Sequence, residues 1–128
     1  MKKIKQKVHF DVSMRDVYEA YVDVRKHAEF SGANVKFEAR AGGKFDIWDG
    51  ELTGENIKLI PGKKIVQKWR SSDWPEGHYS DLKIELFPDG NGTQLKLTQE
   101  NVPDDKYEDI SSGWYEYYWE PMKKYFKR

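Results

Sequence analysis

The middle of this sequence alternates between apolar and polar residues, and short turn signals separate the alternating runs. The pattern occupies residues 35–99. Because successive side chains of a strand point to opposite faces of a sheet, a period of two is typical of strands with one buried face. The dipeptides Asp49-Gly50 and Pro61-Gly62 lie between runs, and the first favours a tight two-residue hairpin turn. We therefore predict about six antiparallel strands in this region.

The last part of the sequence changes to a helical period. Its large apolar residues are Trp114, Tyr115, Tyr118, Trp119, Met122, Tyr125 and Phe126. At about 3.6 residues per turn these positions form one wide stripe, which predicts a helix from about residue 111 to residue 127 lying across the sheet. We expect Trp114, Tyr118 and Met122 to be buried, and Tyr117, outside the stripe, to be exposed. Pro121 has no N–H for the carbonyl of Tyr117, so we expect a bend there.

The first part of the sequence contributes a strand and two short helices. Residues 4–10 alternate as a strand does. Ser13 precedes a helical pattern and can accept a hydrogen bond from the first turn, and a second helix ends before Gly32. A curved antiparallel sheet must bury one face, and the wide stripe of the C-terminal helix can cover it. The sequence predicts an α+β helix-grip fold: a curved antiparallel sheet wrapped around a long C-terminal helix, with two short helices between strands 1 and 2.

Length and charge exclude several classes of protein. A chain of 128 residues predicts a single domain over residues 1–128. Its 22 Lys and Arg balance its 22 Asp and Glu, which argues against nucleic-acid binding. The start MKKIKQKVHF lacks the apolar region of a signal peptide, and no apolar run approaches the roughly 20 residues that span a membrane. The absence of cysteine excludes disulfides and thiolate metal sites. We expect a cytoplasmic protein with no nucleic-acid or membrane partner.

One set of motifs identifies a family. The set consists of Gly42-Gly43-Lys44-Phe45, Asp49-Gly50, Gly54, the strand IVQKWR, Trp74-Pro75-Glu76-Gly77-His78, Gly92-Thr93 and Gly113-Trp114. The Trp-Pro-Glu-Gly-His loop is the most specific member, because it keeps a fixed distance from both neighbouring strands. Together these motifs, which run from about residue 13 to residue 126, resemble the C-terminal domain of the activator of the heat-shock protein 90 (Hsp90) ATPase. That family belongs to the START-like, or SRPBCC, superfamily.

The resemblance implies a fold and a function. It implies the helix-grip fold, which in this superfamily often encloses a hydrophobic cavity. It also implies a co-chaperone of the stress response whose partner is an Hsp90-class chaperone. The eukaryotic activators carry an additional N-terminal domain that supplies much of their contact with the chaperone. Since this sequence begins almost directly at the helix-grip domain, we expect weak binding and little or no stimulation of the ATPase.

No group of residues predicts catalysis or a metal site. His9, His27 and His78 are far apart and lack the spacing of zinc ligands. The acidic residues near Asp49 flank a hairpin, where carboxylates are usually solvated, and Ser111 has no histidine or aspartate base nearby in sequence. We therefore expect no metal, no cofactor and no catalytic residues, and interpret the chain as a non-enzymatic binding module.

Three glutamines are in phase with the apolar face of the sheet, namely Gln6, Gln67 and Gln99. A buried amide without a partner costs about 1–3 kcal/mol, so each needs a neighbour, a water or a ligand. One interpretation places them near strand ends, within reach of water. The other makes them polar groups of an apolar ligand cavity between the sheet and the C-terminal helix. The candidate lining of that cavity is Phe45, Gln67, Trp69, Leu97, Gln99, Trp114 and Tyr118.

The loop around Trp74 also has two interpretations. The ring of Trp74 either folds back as a plug on the sheet edge or projects, held by Pro75, as an interface anchor. In the second case Trp74, Glu76 and His78 are candidates for binding a partner.

Three functions remain open at this stage. An exposed Trp74 above a filled core would favour the protein-binding module. An enclosed void of several hundred Å³ would favour a carrier or sensor of a small hydrophobic ligand. A pocket with paired titratable groups would favour an enzyme.

Overall fold

Seven strands form one antiparallel sheet in the computed structural model, which describes residues 1–127. The strands are β1 (Lys2–Phe10), β2 (Val35–Phe37), β3 (Lys44–Ile47), β4 (Leu52–Ile60), β5 (Lys64–Ser71), β6 (Ser80–Asp89) and β7 (Gly92–Val102). Their order is β1-β7-β6-β5-β4-β3-β2, so hairpins join all neighbours except β1 and β7. The six strands predicted after the helices are confirmed.

Two short helices follow β1, as predicted: α1 (Met14–Val22) and α2 (Val24–Ser31). The Oγ of Ser13 accepts a hydrogen bond from the N–H of Asp16 at 3.1 Å, which caps the first turn of α1. Asp23 separates the two helices, and its side chain caps α2 by accepting from the N–H of Lys26. Gly32 ends α2 with φ 72°, a left-handed conformation in which glycine has no Cβ to clash.

The C-terminal helix, α3, covers the concave face of the sheet. It consists of Tyr107–Trp114, a π-helical segment Tyr115–Trp119, and Glu120–Lys127, after a single 3₁₀ turn, Asp104–Lys106. The helix therefore begins a full turn earlier than predicted. The π-helical segment ends at Trp119, two residues before Pro121, whose nitrogen has no N–H to donate to the carbonyl of Tyr117 four residues earlier. The expected irregularity takes this form.

The core lies between α3 and the concave face of the sheet. Trp114, Tyr118 and Met122 are at most 2% exposed, which confirms their predicted burial, and Tyr117 is exposed as expected. Tyr115 was placed in the apolar stripe, but it is 41% exposed, so that assignment was wrong. The wider π-helical turn accounts for this, because it changes which side chains of α3 face the sheet. The arrangement is the predicted α+β helix-grip fold.

The turn between β3 and β4 differs from the prediction. Ile47 pairs with Leu52, so the loop has four residues instead of two. Trp48, Asp49 and Gly50 all have positive φ, at 57°, 52° and 90°. The two-residue turn predicted at Asp49-Gly50 would have kept Trp48 in the strand. Trp48 leaves the sheet instead, because its backbone adopts a left-handed conformation that is unusual for a bulky residue.

Candidate functional site

Two of the three glutamines join the sheet to α3. The Oε1 of Gln99 accepts a hydrogen bond from the Nε1 of Trp114 at 2.8 Å. The Oε1 of Gln6 accepts one from the Nε1 of Trp119, also at 2.8 Å, and its amide nitrogen donates to the carbonyl of Ser111. Both amides are buried. They position the two stacked indoles of α3, whose ring centroids are 5.3 Å apart, against the concave face.

The third glutamine joins α1 to β4. The Oε1 of Gln67 accepts from the hydroxyl of Tyr21 at 3.1 Å, and its amide nitrogen donates to the Oδ1 of Asn56 at 2.8 Å. Asn56 in turn donates to the carbonyl of Glu38. All three glutamines are therefore bonded to protein groups, so neither sequence interpretation was right: they are not at wet strand ends, and protein atoms occupy the positions that a ligand would take.

His27 is a core residue that the sequence analysis did not single out for this role. It is fully buried on α2, and its Nδ1 donates to the carbonyl of Tyr21 at 2.8 Å. The Nε2 must then accept from the hydroxyl of Tyr118, 3.1 Å away. Burial lowers the pKa of His27 to about 4, so the ring is neutral near pH 7. Its position three residues before Phe30, on the same helix face, was the sequence signal.

A cleft of about 350 Å³ opens between α3, the loop after β3 and the end of β5. It is lined by Trp48, Glu51, Leu52, Trp69, Ser71, Asp109, Ile110, Gly113, Trp114, Tyr117 and Tyr118. It is partly open to solvent and not the enclosed void that the ligand hypothesis anticipated. Its lining is mainly aromatic and aliphatic, with a few polar groups, as is usual for small-molecule sites.

Only three of the seven predicted cavity residues line this cleft, namely Trp69, Trp114 and Tyr118. Phe45, Gln67, Leu97 and Gln99, which were predicted to line a cavity between the sheet and the C-terminal helix, are not among the residues that line this cleft. The two glutamines and Leu97 are buried in the core. Phe45 is buried against Phe37, with ring centroids 5.8 Å apart, and it lies so close to Gly54 that a Cβ added there would come within 2.6 Å of its ring.

Trp48 and Tyr117 are the two aromatic residues of the cleft that the sequence analysis did not predict as lining. The Trp48 ring stands at 72° to Tyr117 and at 86° to Tyr118, with centroids 5.8 and 6.1 Å apart. Because these contacts are edge-on, Trp48 does not stack on either tyrosine, and the three rings form adjoining walls of the cleft. The backbone N–H of Trp48 donates to the carbonyl of Asn34 at 3.0 Å, which holds the loop in place. The positive φ of Trp48 determines where its ring lies. The sequence Trp-Asp-Gly does not predict a positive φ at its tryptophan.

The charged groups of the cleft are acidic. Glu51 and Asp109 are both exposed at its edge, and the lining contains no lysine or arginine. The pKa of Tyr118 is raised because its hydroxyl is buried, and that of Tyr117 is raised by its hydrogen bond with Glu116. Neither tyrosine ionises near neutral pH. Among residues 1–127, no group of three or more His, Asp or Glu side chains could hold a metal ion.

The loop after β5 is built around a buried Trp74. The ring is 4% exposed and packs edge-on against Trp69, with centroids 5.5 Å apart. The projecting anchor was therefore wrong, and the plug interpretation describes this ring. Because Trp69 lines the cleft, Trp74 supports one of its walls from behind. Glu76 is exposed at the tip of the loop, and the ring of His78 donates from Nε2 to the carbonyl of Asn101 at 2.8 Å.

Comparison with known proteins identifies the family. The sequence profile of the family described as "Activator of Hsp90 ATPase homolog 1-like protein" matches residues 11–127. The chain belongs to this family. It is 34% identical over 124 residues to "Activator of 90 kDa heat shock protein ATPase homolog 1" of Homo sapiens. The aligned region covers 97% of this chain and 37% of the human protein. It is 36% identical over 114 residues to the corresponding homolog of Dictyostelium discoideum. That aligned region covers 88% of this chain and 30% of the Dictyostelium protein.

A solved structure agrees with the sequence relatives. The crystal structure of an HSP90 activator from Plasmodium falciparum superposes with a TM-score of 0.85 at 28% identity, covering 92% of this chain and 91% of that one. This family member has the same helix-grip fold. The chain spans about a third of the length of the curated relatives it matches. In residues 1–127 the structure has no helix that is long and apolar enough to cross a membrane.

Proposed function

We propose that this domain is a non-enzymatic binding module that contacts an Hsp90-class chaperone in the cytoplasm. The observation that carries the proposal is the similarity to named Hsp90 ATPase activators along nearly the whole chain, at 34% identity to the human homolog. The contact uses surface residues, because the concave face of the sheet is filled by α3.

The loop from Ser72 to Tyr79 is our candidate for the contact surface. Its conformation is fixed from inside by Trp74 and from one side by Arg70, whose guanidinium donates to the carbonyl of Trp74 at 2.8 Å. At its base the ammonium group of Lys106 pairs with Asp73 at 3.0 Å. A loop that is ordered before binding loses less conformational entropy when it binds. The exposed Glu76 and the partly exposed His78 are the groups of this loop that we assign to the contact.

Calorimetric titration with the Hsp90-class chaperone of the same organism tests this proposal. We expect weak binding when this domain is titrated by itself, because a single domain in the assay lacks the effective concentration that a linked second domain would provide. Glu76→Ala should weaken binding about fivefold, the effect of losing roughly 1 kcal/mol. Glu120→Ala, which removes an exposed carboxylate from α3, is the matched control. Undetectable binding at high micromolar concentration would refute the proposal, and equal binding by both variants would exclude this loop.

The cleft supports a second candidate function, a carrier or sensor of a small hydrophobic ligand. The specific observation in its favour is a concave site of about 350 Å³ whose walls are mainly aromatic. Titration with the neutral dye Nile red tests it. Tyr117→Ala removes a cleft wall and should weaken dye binding, whereas Tyr115→Ala removes a comparable exposed ring of the same helix outside the cleft. Absence of dye binding would leave only the protein-binding proposal.

A further inference from the structure

We propose that the cleft binds an organic cation with an apolar body, such as a substituted ammonium ion. The inference rests on the second candidate function, that the cleft takes a ligand, and it adds the chemical class of that ligand. Three features of the cleft carry it: the sign of its charges, the arrangement of its aromatic rings, and the fixed position of Trp48.

The charges at the cleft favour a cation. Glu51 and Asp109 are the charged residues of the lining. Within residues 1–127 neither carboxylate forms an ion pair, and the side chain of Glu51 accepts only a long hydrogen bond of 3.3 Å from Ser72. The nearby Lys106 is bound to Asp73 at 3.0 Å. Lys106 also interacts with Asp109, but at a distance longer than a salt bridge. Two carboxylates outside any salt bridge attract a positive ligand and repel an anionic one, and the attraction weakens with added salt.

The aromatic rings favour the same charge. The face of an aromatic ring carries negative potential, so a cation within about 6 Å of the face of Trp or Tyr is attracted to it. Trp48 meets Tyr117 at 72° and Tyr118 at 86°, so a small ion beside Trp48 lies close to a second aromatic ring as well. Leu52 and Ile110 add aliphatic surface to the lining. In a ligand with an ammonium head and an apolar body, the head would match the aromatic rings and the body would match the aliphatic surface.

The backbone holds Trp48 in this position before any ligand arrives. A bulky residue with φ 57° is strained, and such conformations are found where the surrounding structure enforces them. Here the enforcing contacts are the hydrogen bond from the Trp48 N–H to Asn34, and a second one of 2.9 Å from the Asn34 side chain to Asp49. The wall that Trp48 provides is therefore part of the folded protein and need not be ordered by the ligand.

Three matched probes test the proposal on the intact domain. They are benzyltrimethylammonium, its neutral isostere neopentylbenzene, and the anion phenylacetate. Binding is followed by tryptophan fluorescence and by the NMR shifts of the indole N–H groups. We expect the cation to bind at least about tenfold more tightly than the neutral isostere, and phenylacetate not to bind. Raised ionic strength should weaken binding of the cation and leave the neutral probe unaffected.

Variants locate the effect. Glu51→Gln and Asp109→Asn should each weaken binding of the cation severalfold without changing binding of the neutral probe. Glu100→Gln removes the same charge from the opposite face of the sheet, and it should change neither the binding of the cation nor the binding of the neutral probe. Equal binding of cation and isostere, or tighter binding of phenylacetate, would overturn the proposed ligand class while leaving a ligand-binding cleft. Failure of all three probes and of Nile red would overturn both the ligand class and the second candidate function.

Discussion

Acidification should destabilise this domain through one buried group, His27. The ring is fully buried, and both of its nitrogens are bonded to protein groups in a way that requires the neutral form. A second proton would have to sit on Nε2, where the ring accepts from Tyr118. The nearby hydroxyls of Tyr21 and Tyr118 have raised pKa values because they are buried, so they remain neutral throughout the acid range.

The magnitude follows from the two pKa values of His27. In the unfolded chain the ordinary value is 6.5, and burial lowers it to about 4 in the folded protein. The unfolded state therefore binds the proton more tightly, so the stabilisation is fully present above pH 6.5 and is lost as the pH falls toward 4. Since each pH unit is worth about 1.4 kcal/mol, the loss is about 2 kcal/mol at pH 5 and about 3 kcal/mol at pH 4.

Urea denaturation of the wild type and of His27→Gln at pH 7 and at pH 5 measures this effect. The wild type should lose about 2 kcal/mol more than the variant over that interval. The carboxylates of Glu19 and Asp73 also have lowered pKa values, through hydrogen bonds with Lys26 and Lys106 respectively. Their contribution is lost at lower pH and is common to both proteins, so it cancels in the difference.

An NMR titration of the wild type gives a check that does not depend on the variant. The ring resonances of His27 should not titrate above pH 5, whereas the exposed His9, whose pKa is raised by hydrogen bonds with Asp89 and Asp11, should titrate above its ordinary value. A His27 that titrates near 6.5, or two proteins whose free energies of unfolding fall in parallel within about 0.5 kcal/mol, would refute the reasoning.

The remaining predictions concern packing, hydrogen bonding and chemistry. Trp114→Ala should cost about 3–5 kcal/mol in urea denaturation, the range for a large buried ring, and a loss below about 1 kcal/mol would mean that α3 does not pack as described. Gln67→Leu should cost about 1–3 kcal/mol by leaving two buried polar groups unpaired, whereas Gln94→Leu, on the opposite face of the sheet, should cost far less. Gly54→Ala should prevent stable folding, because its Cβ would overlap a backbone oxygen of β5; near-normal stability by thermal denaturation would contradict this. Elemental analysis and hydrolase assays of the purified protein should find neither stoichiometric metal nor catalysis, and either finding would overturn the non-enzymatic interpretation.

The candidate site shows where sequence reasoning succeeded and where it failed. Trp69, Trp114 and Tyr118 could be placed on the inner face because their positions follow the periods of a strand and a helix. The failures involve residues whose surroundings depend on distant elements. Gln67 has the same phase as Trp69, yet its Oε1 accepts a hydrogen bond from the hydroxyl of Tyr21 on α1. No local sequence pattern shows which element will supply that donor. Trp48 continues the alternation of β3, and only its left-handed backbone removes it from the sheet.

The sequence by itself determined the elements, their order and, apart from residues such as Tyr115, the faces that become buried. Those properties follow from short-range regularities, namely a period of two, a helical period, capping residues and turn dipeptides, because each is set by the geometry of a few neighbouring residues. Only the tertiary structure decided the partners within the core. The bond between Gln6 and Trp119 joins residues 113 positions apart, and the cleft forms where α3, the loop after β3 and β5 meet. Such encounters depend on how the whole chain packs, and a polar side chain takes whichever donor or acceptor that packing brings within reach.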